Sequence, residues 1–161
     1  MKTPQIIDQS LLDAVSQEAA ASPRRRKNRN FHTRDDDCSH RLLNAIEPGS
    51  YIAPHCHLDP AKDETMIVLR GLLGVVFFDA AGQVTQTALL APAGEACGVT
   101  IPHGVFHTVL ACQPGTVFFE AKAGPYLPLS DAERATWAPG EGDASVVAYV
   151  QTLNALFASR L

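Results

Sequence analysis

The sequence predicts an all-β sandwich or barrel with one helix at each end of the chain, and three observations predict it. Between residues 40 and 122 the chain is cut into short apolar or alternating runs of strand length. The cuts are turn formers: Glu47-Pro48-Gly49, Asp59-Pro60, Arg70-Gly71, Ala80-Ala81-Gly82-Gln83, Ala91-Pro92-Ala93-Gly94, Pro102-His103-Gly104 and Gln113-Pro114-Gly115. Helical periodicity, by contrast, is confined to the segments before and after this stretch. Evenly spaced short strands with turn punctuation are the pattern of stacked or closed antiparallel sheets, whereas a parallel α/β fold interleaves helices with its strands.

In chain order, residues 9–21 read as an amphipathic helix, because Leu11, Leu12, Val15 and Ala19 recur at helical spacing. Asp8 or Ser10 is its N-cap, and Ser22-Pro23 stops it, since the residue before a proline is pushed out of α space. The helix is expected outside a sheet or at a dimer contact. Five basic residues then fall between Arg24 and Arg29, followed by Asp35 to Asp37. One reading is a solvated connector. The other starts from Asn28, Asn30 and His32, which share one face of an extended strand and could line the mouth of a polar pocket, with Arg26 nearby to hold an anion.

Strands are expected at 40–46, 51–57, 65–70, 72–78, 84–90, 97–101, 105–112 and 116–122, with a hairpin turn at Asp79-Ala80-Ala81-Gly82. Beyond Gly124-Pro125-Tyr126 the chain loosens into a short helical segment over 130–137, capped by Ser130, and a last helix over 143–160. Val146, Val147, Val150, Leu153, Leu156 and Phe157 form the stripe of that helix, which serves core or dimer packing. The chain reads as one domain: helix 1–23, barrel 24–127 and helical extension 128–161.

The residues that carry chemistry cluster around the second and third of these strands. His55 and His57 are two apart, so on a strand both imidazoles point to one face. Glu64 opens the next strand, and if Leu58 to Asp63 is a hairpin loop it lands opposite the histidines. His107 follows a Pro-His-Gly turn further on. Three imidazoles and a carboxylate make a mixed N/O site that suits Mn, Fe, Ni, Zn or Co rather than Ca or Mg. His103 is expected at the rim, outside the ligand set. Glu120 and Lys122 share a strand face and form either a pocket acid/base pair or an edge salt bridge, the commoner fate of such a pair.

The spacing G-x5-H-x-H-x6-E-x6-G over Gly49, His55, His57, Glu64 and Gly71, with P-x-G-x2-H at Pro102, Gly104 and His107, resembles the two motifs of the cupin superfamily. The wider chain resembles the WbuC-type cupin fold metalloproteins through RKNRNFH, LLNAIEPGSYIAPHCH, ETMIVLRGLLGVVFFD and FFEAKAGPY. It departs from the common pattern in a longer spacer between His57 and Glu64, and in Ala96 and Ala111 where the second motif often has Gly and Asn. The resemblance implies a double-stranded β-helix with one divalent metal on His55, His57, Glu64 and His107. It also implies a role in surface-polysaccharide (O-antigen) biosynthesis, on a sugar or nucleotide-sugar derivative, for which Arg26, Asn28, Asn30, His32, Glu120 and Lys122 are the candidate binding residues. The alternatives are a non-catalytic binding or sensing protein and a cupin dioxygenase. No residue pattern identifies a catalytic base, so isomerase, epimerase, hydrolase and oxygenase chemistry stay open.

Composition narrows the partners. A net charge of −4 argues against nucleic acid, and no apolar run reaches the roughly 20 residues of a membrane span. The acidic residues within the first 21 positions exclude a signal peptide's apolar stretch, so the four cysteines are expected free in a reducing cytoplasm. A small-molecule ligand is expected, and a homodimer through the outer helices is open.

Overall fold

Helix α1 (Gln9–Ala21) begins where the Asp8 carboxylate accepts the Leu11 amide at 2.9 Å and ends at Ser22, extended ahead of Pro23. Its buried Leu12, Val15 and Ala19 lie on Leu43, Ala45 and Val117, so the stripe covers the chain's own sheet. The computed structural model describes residues 3–160. Eight strands follow: β1 (Arg26–Asn30), β2 (Ser39–Ile46), β3 (Glu64–Arg70), β4 (Leu73–Phe78), β5 (Val84–Leu90), β6 (Gly98–Ile101), β7 (Phe106–Ala111) and β8 (Thr116–Ala123). They form a five-stranded sheet in the order β1-β2-β8-β3-β6 and a three-stranded sheet in the order β5-β4-β7. Every neighbouring pair is antiparallel.

The period of two decides what each sheet buries. On the larger sheet Ile46, Met66, Val68 and Phe118 face Leu73, Val75, Phe77 and Val109 of the smaller one, and this is the main core. The opposite face of the larger sheet is closed by α1. The opposite face of the smaller sheet is closed by α2 (Val146–Ala155) and the turn after it, which set Leu153 and Phe157 on Val76, Phe78 and Leu110. Phe157 fits because β4 carries glycine beneath it: a Cβ on Gly74 would lie 2.8 Å from the ring.

Four expectations need correction. Segment 51–57 is extended but is not a regular strand. Pro54 removes a ladder donor in its middle, and His55 alone bridges, to His107 on one side and Arg134 on the other. Residues 58–63 are consequently not a hairpin loop, because β3 pairs with β6 and β8 and not with the histidine segment. The short helical segment is a single 3₁₀ turn (Asp131–Glu133), closed by a capping box between Ser130 and Glu133. The last helix is shorter than its stripe: the Gly140-to-Asp143 turn, with Asp143 accepting the Gly140 amide at 2.7 Å, delays its start, and Val147 and Leu156 remain exposed.

Among the described residues no helix is long and apolar enough to cross a membrane. Cys38, Cys56, Cys97 and Cys112 are all free thiols, with Cys56 buried. All four are expected to react with a thiol reagent in denaturant without reductant. A thiol count of two under those conditions would establish a disulfide and overturn the assignment.

Candidate metal centre

The inner face of the larger sheet changes character along its length. Register places Asn44 opposite Phe118, Leu42 opposite Glu120 and His40 opposite Lys122, while Met66 faces Glu120 from the other side. The apolar row around Phe118 is therefore succeeded, one and two steps along the strands, by Glu120, Lys122 and Glu64. β1 continues this face outward, with Asn28 opposite Asn44 and Asn30 opposite Leu42. On the smaller sheet, His107 lies on the face that carries Val109 and Ala111 into the core.

Backbone hydrogen bonds between His55 and His107, at 3.1 and 2.9 Å, lay the 51–57 segment against β7. The Gly104 amide, in a turn where that glycine takes φ +78, donates to His57 O at 2.7 Å. From the other side Leu58 N donates to Glu133 Oε1 at 3.0 Å. Irregular as it is, the segment is fixed from both sides, and the four predicted ligands come together. The His55 ring lies 5.4 Å from that of His57 and 4.8 Å from that of His107. Glu64 Oε1 is 2.8 Å from His57 Nε2, and Glu64 Oε2 is 3.2 Å from His107 Nε2.

The tautomers follow from what the outer nitrogens touch. His55 Nδ1 lies 3.0 Å from Ala53 O and His107 Nδ1 lies 2.9 Å from Val105 O. A carbonyl only accepts, so both Nδ1 atoms carry a hydrogen, and the tautomer this selects for the neutral ring has its lone pair on Nε2. Burial, then the neighbouring His107, pushes His55 down to about 4, which keeps it neutral. His107 Nε2 is buried with no hydrogen-bond partner, since its approach to Glu64 lacks the alignment of a hydrogen bond.

Burial opposes the charge on Glu64, but the contact from His57 at 2.8 Å and the ammonium of Lys122 outweigh it, holding the carboxyl far below the usual range. Burial likewise opposes the charge on Lys122, and Glu120 and Glu64 outweigh it, raising the ammonium above its ordinary value. Lys122 Nζ stands 2.6 Å from Glu64 Oε1 and 2.9 Å from Glu120 Oε1. β8 is an interior strand of its sheet, so this is not an edge salt bridge. The pair lines the cavity beside the histidines.

That cavity holds about 80 Å³ and is walled by His55, Glu64, His107, Glu120, Lys122 and the apolar core. One water needs roughly 10–15 Å³ on the same measure, so there is room for an ion with its solvent or for the head of a small ligand. Lys122 stands between it and a polar vestibule of about 380 Å³ lined by Asn28, Asn30, His32, His40, Asn44 and Tyr126. A second opening of about 180 Å³ passes His57 and Lys62.

Asn28, Asn30 and His32 thus reach one pocket, although His32 lies beyond the end of β1. Arg26 is turned to other work, donating to Tyr51 O at 2.6 Å and to Glu141 at 2.9 Å. His103 is exposed and held by Asp63 at 2.9 Å. Sequence reasoning missed Asn44, whose amide donates to Glu120 Oε2 at 2.7 Å, and His40, stacked on His32 with centroids 4.0 Å apart. Both are polar residues in phase with inward-facing Leu42 on β2, and that phase is the signal that could have found them.

Among the described residues, no three His, Cys, Asp or Glu side chains stand around an open point as an ion's ligands do. The donors touch one another instead. Their chemistry still fits a borderline divalent ion: two imidazoles locked with Nε2 bare, a third imidazole, and an ionised carboxylate whose oxygens lie between them. Donor separations of 2.8 and 3.2 Å are close to the edge between adjacent ligands on one ion, which is roughly 3 Å for bonds of about 2.1 Å.

Residues 7–90, more than half of the chain, match the model of a family described as "Domain of unknown function (DUF6016)". The chain belongs to the DUF6016 family. The matched stretch of this DUF6016 chain includes His55, His57 and Glu64 and stops before His107, Glu120 and Lys122. No curated protein matches it. Among solved structures it is similar to a cupin superfamily protein from Desulfitobacterium hafniense, with a TM-score of 0.54 and 14% identity over 74% of this chain and 93% of that one. It is similar to a conserved protein of unknown function from Streptococcus pyogenes at 0.52 and 14%, over 79% and 93%. KdgF from a Halomonas species gives 0.51 and 17%, over 66% and 84%. At these identities the likeness is one of fold: the DUF6016 chain is a cupin barrel.

Proposed function

We propose that this cupin binds one divalent transition metal, Mn, Fe, Ni, Zn or Co, through His55, His57, Glu64 and His107, and uses it on a polar small molecule. The observation that carries the reading is His107 Nε2. Its lone pair is buried without a hydrogen-bond partner and lies 3.2 Å from a carboxylate oxygen. Two acceptors at that separation repel unless a proton or a metal cation lies between them, and of metal cations a divalent transition ion is the one that three imidazoles and a carboxylate select. Around the cavity two buried carboxylates, Glu64 and Glu120, face one ammonium, which also favours a cation.

When bound, the metal supplies Lewis-acid polarisation of a ligand oxygen. The chain's own residues do the rest. Asn28 and Asn30 offer amide donors and acceptors to hydroxyl groups in the vestibule, and His32 and Asn44 extend that polar face toward the cavity. Glu120 and Lys122, joined at 2.9 Å, stand where a bound oxygen could exchange a proton. The polar lining and the resemblance to WbuC-type proteins support a sugar or nucleotide-sugar derivative, in surface-polysaccharide biosynthesis, as the ligand.

A panel of sugars, sugar phosphates and nucleotide sugars, titrated against natural, metal-stripped and Asn30→Ala protein, tests this. A true ligand is expected to lose about tenfold in affinity with Asn30→Ala, the worth of one hydrogen bond, and more without metal. Affinity unchanged by both losses sinks the reading. Dependence on both without turnover assigns the protein to binding or sensing.

A further inference from the structure

We infer that Lys122 is a resident competitor for the metal, a cation built into the site that sets how tightly the four ligands hold their ion. The inference rests on the metal reading above. Lys122 Nζ lies 2.6 Å from Glu64 Oε1, the same oxygen that faces His57 Nε2 at 2.8 Å. A metal ion drawing on that oxygen meets a positive charge already seated on it. Two cations on one carboxylate oxygen repel, so the ion must displace the ammonium from Glu64.

The site provides for that displacement. Glu120 Oε1 holds the same ammonium at 2.9 Å, and Asn44 fixes the other oxygen of Glu120 at 2.7 Å. Glu120 is thereby a second seat, on the adjoining inward position of β8, and Lys122 keeps a partner after leaving Glu64. Lys122 also borders the vestibule as well as the cavity.

The test is a titration of Zn²⁺ against a chromophoric chelator, with natural protein, Lys122→Met, Lys122→Gln and the double variant Lys122→Met/Glu120→Gln. Both single variants are expected to hold Zn²⁺ at least tenfold more tightly than the natural chain. Lys122→Gln keeps polar contact with both carboxylates and serves if the methionine variant does not fold, which a thermal melt in chelator reveals. The double variant separates competition from the bare charge of an unmasked Glu120. It is expected to remain several-fold tighter than natural protein. A double variant at or below the natural affinity, or single variants no tighter than the natural chain, overturns the inference while leaving the metal site standing. If no form of the protein binds Zn²⁺ the metal reading itself fails, and this inference falls with it.

Discussion

Protein purified without chelator is expected to carry about one transition-metal ion per chain, and the double variant His55→Ala/His57→Ala to carry none. Two of the four proposed ligands leave at once, and Cys56 between them is buried. The loss should not come from unfolding. What holds 51–57 in place is backbone: His55 N to His107 O at 3.1 Å, His107 N to His55 O at 2.9 Å, and Gly104 N to His57 O at 2.7 Å. Alanine keeps every one of these bonds. The measurement is elemental analysis beside far-UV circular dichroism. Stoichiometric metal in a folded double variant would remove both histidines from the ligand set.

The parts of the molecule legible in the sequence are those written in local periodicity. Strand β5 (Val84–Leu90), the Asp8 cap and the stop at Ser22 depend on neighbours a few residues away, and local pattern reports them. The nearness of His55 to His57 was legible for a similar reason: histidines two apart on extended backbone share a face whether or not the backbone pairs regularly. What was not legible was which strand lies beside which. Local alternation places Glu64 on the same side as Met66 and Val68, but nothing within 58–63 says that β3 pairs with β8 rather than with the histidine segment. Pro54 was the local sign against a regular strand there. The contact of Lys122 with Glu64 was lost with the same topology. As an edge residue it would be a solvated partner of Glu120; as an interior residue of β8 it lies against Glu64, 58 positions away in the chain.

Glu64→Gln is expected to abolish metal binding and also to destabilise the metal-free protein by about 3 kcal/mol near neutral pH, the lower end of the cost of removing one partner from a buried ion pair. The lower end applies because Glu120 still holds Lys122 at 2.9 Å after the change. The pH dependence separates this from a packing effect, since glutamine has nearly the same shape. Glu64 has a folded-state value far below the ordinary 4.5, with burial opposed and outweighed by His57 and Lys122. A depressed carboxylate contributes stability that is complete above its unfolded value and is lost as pH falls through the folded one. The advantage of the natural chain over Glu64→Gln is therefore constant from neutral pH down to about 5, and it shrinks steadily as the pH falls below about 4.5. Urea midpoints of both proteins in chelator, taken from pH 7 to pH 3, measure the gap directly. A gap that stays the same width across that range would mean that the charge of Glu64 contributes nothing to the folded state.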